Sequence, residues 1–454
     1  MSASNNAISP DYARGLLLTD LYETTMLEAY LASGMSETAV FEFFVRKFPP
    51  TRSFLMAAGL EQVAKFLLEA RCSPAELAWL RRSGQFTSQL IDFLANFQFT
   101  GDVDAIPEGT IFFPDETLLR ISAPILQAQL VETRVINFLQ YQTLVATKAA
   151  RMVLAAPGKD LIDFGLRRAH SAEAGVLAAR ASFIAGFSGT ATVPASMMFG
   201  IPIFGTMAHS YVQAHASEEE AFLNFARSQP DKVFFLIDTY DTEKAARKIT
   251  QLALSLAESG IAIRGVRIDS GDLDQHARNV RAILDEAGLT ETRIMASGGI
   301  DEFKLRHLTE AKAPIDSYGI GTSLVVSDDA PALDCAYKLK AYAGEPKRKR
   351  SEGKAYWPGP TQIFRQHNGA GQLAGDTIGC ADEILQGESL LQPIIVGGKL
   401  YRPLPEFTEL RRYALGQLGR LPDELRQLEA KPSYQVAVTS KLRDLADEVD
   451  RKHG

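Results

Sequence analysis

GVRIDSGDLDQHARNV, residues 265–280, is the stretch whose reading decides the fold. Val266, Arg267 and Ile268 suit a strand, Asp269, Ser270, Gly271 and Asp272 make a polar corner, and a helical pattern opens at Leu273. An arginine, two carboxylates, a hydroxyl and a glycine within the six residues 267–272 can grip an anionic substrate, hold a metal-bound phosphate and admit close backbone approach. The plainer reading is a strand end at which Asp269 or Asp272 only caps the following helix. The corner alone leaves both readings open.

The same grammar recurs on either side. LIDF (161–164) runs into GLRRAHS, SFIAGF (182–187) into SGTAT, IPIFGT (201–206) into MAHSY, VFFLID (233–238) into TYDTEKAARKI, RIMA (293–296) into SGGIDE, and SYGIG (317–321) into TSLV. With GVRID these are seven short apolar runs at the spacing of a βα repeat, which predicts parallel strands joined by crossover helices. Polar residues fall at the carboxyl end of every run. An open doubly wound sheet gathers ligands mainly at its switch point, whereas a β/α barrel gathers them from all its strands. The expectation is therefore an α/β chain with an irregular β/α barrel in residues 131–335 that holds the active site. No glycine dinucleotide fingerprint and no P-loop opens any unit.

Ahead of the barrel, residues 1–15 read as a loose lead. A helix follows, with Leu21, Met26, Leu27, Tyr30 and Leu31 on one side and Gly34 as its stop. AVFEFFVRKFPP (39–50) reads as a strand, Gly59 to Phe97 as mostly helix, and residues 101–124 as short strands with Pro and Gly turns. Residues 1–130 thus form an α+β domain, from which a long helix leads at Pro124. Residues 336–454 read as a C-terminal segment packing in part on that domain. In it, 338–369 are strands and turns, and the rest is polar up to amphipathic helices at 406–427 and 440–451. Lys347-Arg348-Lys349-Arg350 reads as a solvated hairpin rather than a nucleic-acid patch.

At 454 residues the chain exceeds the usual single-domain size, and its 46% apolar and 23% charged residues are those of a soluble globular protein. A net charge of -7 argues against a general nucleic-acid partner. Cys72, Cys335 and Cys380 form no CxxC pair, so neither a disulfide framework nor a thiolate zinc site is indicated, and a reducing cytoplasm is expected. No apolar run is long enough to span a bilayer, and MSASNNAISPDYARG lacks the apolar core of a signal peptide, so no membrane partner is expected.

On one barrel face the corners would gather Arg167, Arg168, His170, His209, Asp238, Arg267, Asp269 and Asp272. The same face would carry the turns Ser188-Gly189-Thr190, Ser297-Gly298-Gly299 and Gly319-Ile320-Gly321-Thr322. Late glycine turns ahead of helices commonly receive a phosphate, and arginines among carboxylates suit a substrate carrying anionic groups with a divalent cation. His209 is a nucleophile or acid–base residue on one reading and a hydrogen-bonded structural histidine on the other. DFGLR at Asp163 matches the kinase triplet, but nothing else of a kinase is present. The residues by themselves lead to a barrel enzyme acting on a phosphorylated, anionic small molecule.

LLTDLYETTM, FEFFVR, DFGLRRAHS, FSGTATV, GTMAHSY, GVRIDSGDL, ASGGIDE, SYGIGTSLV and KRSEGKAYWPG, in this order from Leu16 to Arg365, resemble the nicotinate phosphoribosyltransferases. The stretch after 370 matches only loosely. The resemblance implies a type II phosphoribosyltransferase-like irregular barrel with an α+β domain built from N- and C-terminal segments, working as a homodimer with shared active sites. It implies the first step of NAD synthesis from nicotinate: nicotinate and 5-phosphoribosyl diphosphate give nicotinate mononucleotide and diphosphate, with coupled ATP hydrolysis and Mg2+. By the same resemblance His209 is phosphorylated by ATP, Thr206 and Arg267 bind the pyridine carboxylate, and Asp269 lies beside ribose and base. Arg167, Gly298 and Gly321 match phosphate-binding corners, and Tyr22 reaches the partner subunit's site to stack on the pyridine. Phe164, Ser270, Asp272, Gly299 and Thr322 complete the expected substrate-binding set, while the metal ligands stay unassigned. Nicotinamide-using relatives carry an acid where this chain has Ala191, which favours the acid substrate. Enzymes using nicotinamide or quinolinate, the latter much shorter chains, are the alternatives, and a catalytically dead scaffold barrel would have lost its polar corners.

Overall fold

The strand that begins at Ile263 lies inside a six-stranded parallel sheet in a computed structural model, which describes residues 15–429 and 434–452 of the chain. The strands are β1 (Asp160–Asp163), β2 (Gly189–Thr190), β3 (Val233–Leu236), β4 (Ile263–Ile268), β5 (Arg293–Ser297) and β6 (Ser317–Ile320). Their order is β2-β1-β6-β5-β4-β3, with Met295 opposite Arg267 and Gly319 opposite Ile162. Beyond β2 the sheet continues as a single parallel bridge from Thr190 to Ile203. Among the described residues no pairing joins Ile203 to β3, so the sheet is a half-barrel open along one seam. Val266, Ile268, Ile294, Ala296, Tyr318 and Ile320 are buried, as expected where helices cover a parallel sheet and its strands read as apolar runs.

Each crossover helix begins on a polar side chain just past a strand. Ser171, Ser217, Asp241, Asp272 and Asp301 accept the backbone N–H three residues on and cap the helices Ala172–Ile184, Glu218–Ser228, Thr242–Glu258, Leu273–Glu286 and Glu302–Glu310. The polar corners of the sequence are therefore partly caps and partly site.

Two of the seven expected strands differ. SFIAGF is not a strand: Ser182–Ile184 ends the helix Ala172–Ile184, and pairing is confined to Gly189–Thr190. The run continues a buried helical face of Leu177, Ala178, Ala181 and Ile184, and so short an apolar segment carries no period of its own. IPIFGT supplies only the bridging Ile203.

Val145–Pro331, which contains this sheet, is one of two compact units; the other joins Met1–Leu144 to Ala332–Gly454. The second unit is organised on the strand Thr38–Lys47, which pairs antiparallel with Thr117–Pro124 on one side and Asp334–Tyr342 on the other. Segments far apart in sequence thus share one seven-stranded sheet, with Asp102–Ala105, Gln392–Val396 and Lys399–Leu400 beyond Thr117–Pro124. The helices Leu21–Ala32, Leu60–Glu69, Pro74–Ser83 and Ser88–Ala95 belong to this unit. The long helix expected from Pro124 is two, Ile125–Leu130 and Glu132–Ala155, broken at Val131.

Other differences in this unit have local causes. Leu21 was expected on the packed side of its helix but is 66% exposed, while Glu23 and Leu27 are fully buried. The stretch after 370 is not simply polar: Leu373–Cys380 joins Thr361–His367, Glu388–Ser389 and Val436–Val438 in a four-stranded sheet ahead of the helices Phe407–Gly419 and Ser440–Lys452. The hairpin near the basic run turns at Ala343-Gly344, and Lys347–Arg350 follows its second strand, with Arg350 donating to the Asp450 carbonyl at 3.1 Å. Apart from Gly15, the lead at residues 1–15 lies outside the described residues.

Candidate active site

The carboxyl ends of the half-barrel strands and the segments after them line a cavity of about 850 Å³. Arg267 is part of its lining. One residue inside the end of β4, its Nε donates to Ser297 Oγ at 2.7 Å, one terminal nitrogen to Thr206 Oγ1 at 3.2 Å and the other to Asp269 Oδ1 at 2.8 Å. A guanidinium has five N–H donors, so two are left without a partner among the described residues. The guanidinium carbon lies 5.2 Å from the centroid of the Phe164 ring, within cation–π range. That ring lies on Gly319, where a Cβ would come 2.5 Å from it.

Asp269 is two residues from Arg267, and the strand period of two places both side chains on one face. Its Oδ1 also accepts the Ser297 hydroxyl. Burial pushes this carboxyl up, but Ser297, Arg267 and His209 outweigh it and hold Asp269 below the usual carboxylate range. It is ionised at neutral pH. Behind it, Asp238 Oδ2 accepts the Asp269 backbone N–H at 3.0 Å and the Ser270 hydroxyl at 2.6 Å. Asp238 Oδ1 is buried and has no hydrogen-bond partner among the described residues.

His209 opens the short helix His209–Gln213 just past the bridging Ile203. Its Nε2 lies 4.0 Å from Asp238 Oδ1 and 3.9 Å from Asp269 Oδ2, and its Nδ1 is 3.1 Å from the Thr239 hydroxyl. The imidazole is thus fixed on one nitrogen and faces two carboxylates with the other.

The glycine turns form another part of the lining. Gly298 has φ +88°, and a Cβ there would fall 1.9 Å from the Asp269 carbonyl oxygen, so only glycine fits. Gly299, Gly321, Thr322 and Ser323 also line the cavity. The Ser323 hydroxyl donates to the Ile300 carbonyl at 2.5 Å and ties the two turns together. Backbone N–H groups at such turns, each leading into a helix, are suited to phosphate oxygens. Arg167 and Arg168, on the exposed turn Leu166–Arg168, line the cavity without an ion pair among the described residues.

Of the residues singled out from the sequence, Phe164, Arg167, Thr206, Arg267, Asp269, Gly298, Gly299, Gly321 and Thr322 meet at this cavity. His209 and Ser270 adjoin it through Asp238 and Asp269. Asp272 does not line it: its Oδ1 accepts the Gln275 N–H at 3.2 Å and caps the following helix, whereas Asp269 lines the cavity. Tyr22 belongs to the other unit, where it is 48% exposed on the helix Leu21–Ala32.

Sequence reasoning missed two supports. Asp163, set aside with the kinase triplet, is fully buried; its Oδ1 accepts the Gly165 N–H at 2.8 Å and its Oδ2 the Thr190 hydroxyl at 2.7 Å, which shapes the Phe164–Arg168 corner. Burial pushes its carboxyl up. Thr239, which orients His209, gave no sequence signal.

A half-barrel that gathers charge and glycine turns at its strand carboxyl ends is built as the type II phosphoribosyltransferases are. Models of nicotinate phosphoribosyltransferase match along the chain, the N-terminal domain model at residues 17–140, the family model at 160–355 and the C-terminal domain model at 383–446. The chain belongs to the nicotinate phosphoribosyltransferase family. It is 48% identical to nicotinate phosphoribosyltransferase pncB2 of Mycobacterium tuberculosis over 94% of this chain and 92% of the relative, and 33% identical to nicotinate phosphoribosyltransferase of Bacillus subtilis over 92% of each. The crystal structure of human nicotinic acid phosphoribosyltransferase superposes with a TM-score of 0.86 at 29% identity, covering 95% of this chain and 99% of that one. The stretch after 370, only loosely matched from the sequence, contains the 383–446 match.

Proposed function

We infer that this cavity transfers the phosphoribosyl group of 5-phosphoribosyl diphosphate to the ring nitrogen of nicotinate, giving nicotinate mononucleotide and diphosphate, the entry to NAD synthesis from nicotinate. The observation that carries this reading is the pair of N–H donors on Arg267 without a partner among the described residues, in a guanidinium held by Ser297, Thr206 and Asp269 and facing the Phe164 ring. A planar aromatic carboxylate meets such a fork bidentately, with its ring against an aromatic face. Ala191 in the lining supports the acid over the amide, since no carboxylate stands there to receive an NH2 group.

As the bond from the ribose anomeric carbon to diphosphate breaks, positive charge develops on the sugar and the pyridine nitrogen closes on that carbon. Asp269, kept ionised by its neighbours, stabilises that charge, while the glycine turns and Arg167 hold phosphate. His209 takes a phosphoryl group from ATP, its imidazole a competent nucleophile near neutral pH. Asp238, with an unpartnered buried oxygen beside His209, fits the part of one carboxylate ligand to Mg2+, an ion that usually takes its other ligands from phosphate and water and would relieve charge on the leaving diphosphate. The working form is a cytoplasmic homodimer in which Tyr22 of one protomer completes its partner's site. No helix among the described residues is long and apolar enough to cross a membrane.

The test is direct. Purified protein is incubated with 5-phosphoribosyl diphosphate and labelled nicotinate, nicotinamide or quinolinate, each with and without ATP. Mononucleotide from nicotinate, stimulated by ATP, is expected; equal or greater turnover of nicotinamide or quinolinate would overturn the assignment. The His209→Asn variant should keep slow ATP-independent synthesis and take up no acid-labile label from γ-labelled ATP.

A further inference from the structure

Behind the glycine turns lies a buried charge cluster that the reaction does not use. Lys148, on the helix Glu132–Ala155, is 1% exposed, and its Nζ lies 2.6 Å from Glu302 Oε2, 2.7 Å from Asp328 Oδ1 and 2.9 Å from Asp329 Oδ1. The ammonium thus forms ion pairs with three different carboxylates. Burial pulls the amine down, but these carboxylates outweigh it and keep Lys148 charged. Arg151 Nε joins from the same helix, 3.1 Å from Glu302 Oε1.

The three partners sit at two places in the lining. Glu302 is the first residue of the helix that follows Gly298-Gly299-Ile300-Asp301, and Asp328-Asp329 follows the short helix Thr322–Val325 that begins after Gly321. The second loop passes through Ser327 at φ +45°, a backbone that a residue with a side chain keeps only when its surroundings hold it. Asp328 itself lines the cavity, with 47% of its side chain exposed.

We propose that Lys148 is a positioning residue for phosphoribosyl diphosphate: it clamps the start of the Glu302 helix to the Asp328-Asp329 loop, fixing the spacing of the two glycine turns and holding the Asp328 carboxylate back from the arriving phosphate. This rests on the reading that those turns receive phosphate. Without the ammonium, Glu302 keeps Arg151, but Asp328 carries an uncompensated negative charge beside a dianion. Nicotinate is held by Arg267 and Thr206, neither of which touches the cluster, so its binding is independent of Lys148.

Steady-state kinetics with each substrate varied in turn tests this. Lys148→Met should raise KM for 5-phosphoribosyl diphosphate about tenfold or more and leave KM for nicotinate within about twofold, the size of a lost hydrogen bond to a charged group. Lys148→Arg, which keeps the charge, should stay within about threefold of the parent. Lys148→Met combined with Asp328→Asn should recover most of the loss, which a purely structural role does not predict. If Lys148→Met does not fold, Lys148→Gln takes its place with about a threefold expected rise. A lowered Tm with both KM values unchanged, or both KM values rising together, overturns the proposal. Absence of any product from the parent enzyme would instead overturn the assigned reaction.

Discussion

At the residue scale, the proposed reading rests the choice of substrate on Arg267. A charged hydrogen bond to a desolvated carboxylate is worth roughly 1.5 to 3 kcal/mol, one to two powers of ten in affinity. Nicotinamide forfeits it and leaves the guanidinium poorly paired. Arg267→Ala should therefore lower kcat/KM for nicotinate on the order of a hundredfold and the weak nicotinamide rate far less. Equal loss for both substrates, with a lowered melting temperature, would reduce Arg267 to a brace on Asp269 and Ser297. The residues at this scale were largely legible because charge, glycine and aromatic types cluster at strand ends. What stayed hidden was the division of labour between like residues. Asp269 and Asp272 are three positions apart in one corner, and only the strand register and the helix start decide that one faces the cavity and the other a backbone N–H.

At the scale of elements, that division can be measured. Asp272→Ala should cost about 1 kcal/mol of stability through the lost cap, while Asp272→Asn, an equally good cap, should cost little. Urea unfolding with parallel activity assays reads both, and equal loss of activity in the two variants would return Asp272 to the substrate. The helix Leu21–Ala32 offers a second measurement. Burial pushes its Glu23 carboxyl up to about 7 from an ordinary 4.5. The fold then holds more protons than the unfolded chain between those values, so Glu23 costs stability increasingly as pH rises through that window and in full above it. Glu23→Gln should raise Tm more at pH 8 than at pH 5, and a gain equal at both would exclude this titration. An acid on the packed face is invisible to apolar periodicity, which is why Leu21 was placed inward and Glu23 was not noticed. The misplaced strand at SFIAGF has a related cause, since four to six apolar residues fit a helix end as well as a strand. The late strands from Leu373 went unseen because LAGDTIGC mixes glycine and polar residues, and its place is fixed by pairing with Thr361–His367 instead.

At the scale of the whole molecule, the parallel βα repeat was readable because it recurs, whereas the antiparallel sheet of the other unit joins Thr38–Lys47 to Asp334–Tyr342, nearly three hundred residues later. No local pattern announces such a pairing. Tyr22 lies in that unit, and the proposed homodimer brings it to the partner's pyridine. Mixing the inactive variants Tyr22→Ala and Asp269→Ala should form heterodimers with one intact composite site and restore activity. No recovery after subunit exchange has been demonstrated would count against a shared site.

The open seam of the half-barrel bears on the proposed role of His209. Past the single bridge at Ile203, the N–H groups of Gly205, Thr206, Met207 and Ala208 find no backbone acceptor among the described residues, and His209 comes next. His209 therefore rides on a segment that can shift without breaking a sheet hydrogen bond, while Arg267 and Asp269 ride on or beside a strand paired on both sides. Deuterium uptake should be orders of magnitude faster at residues 205–208 than along β4. On the proposed reading of His209 as the phosphorylated residue, a tether of this kind would let the imidazole re-aim between substrates while Arg267 and Asp269 stay fixed by the paired strand.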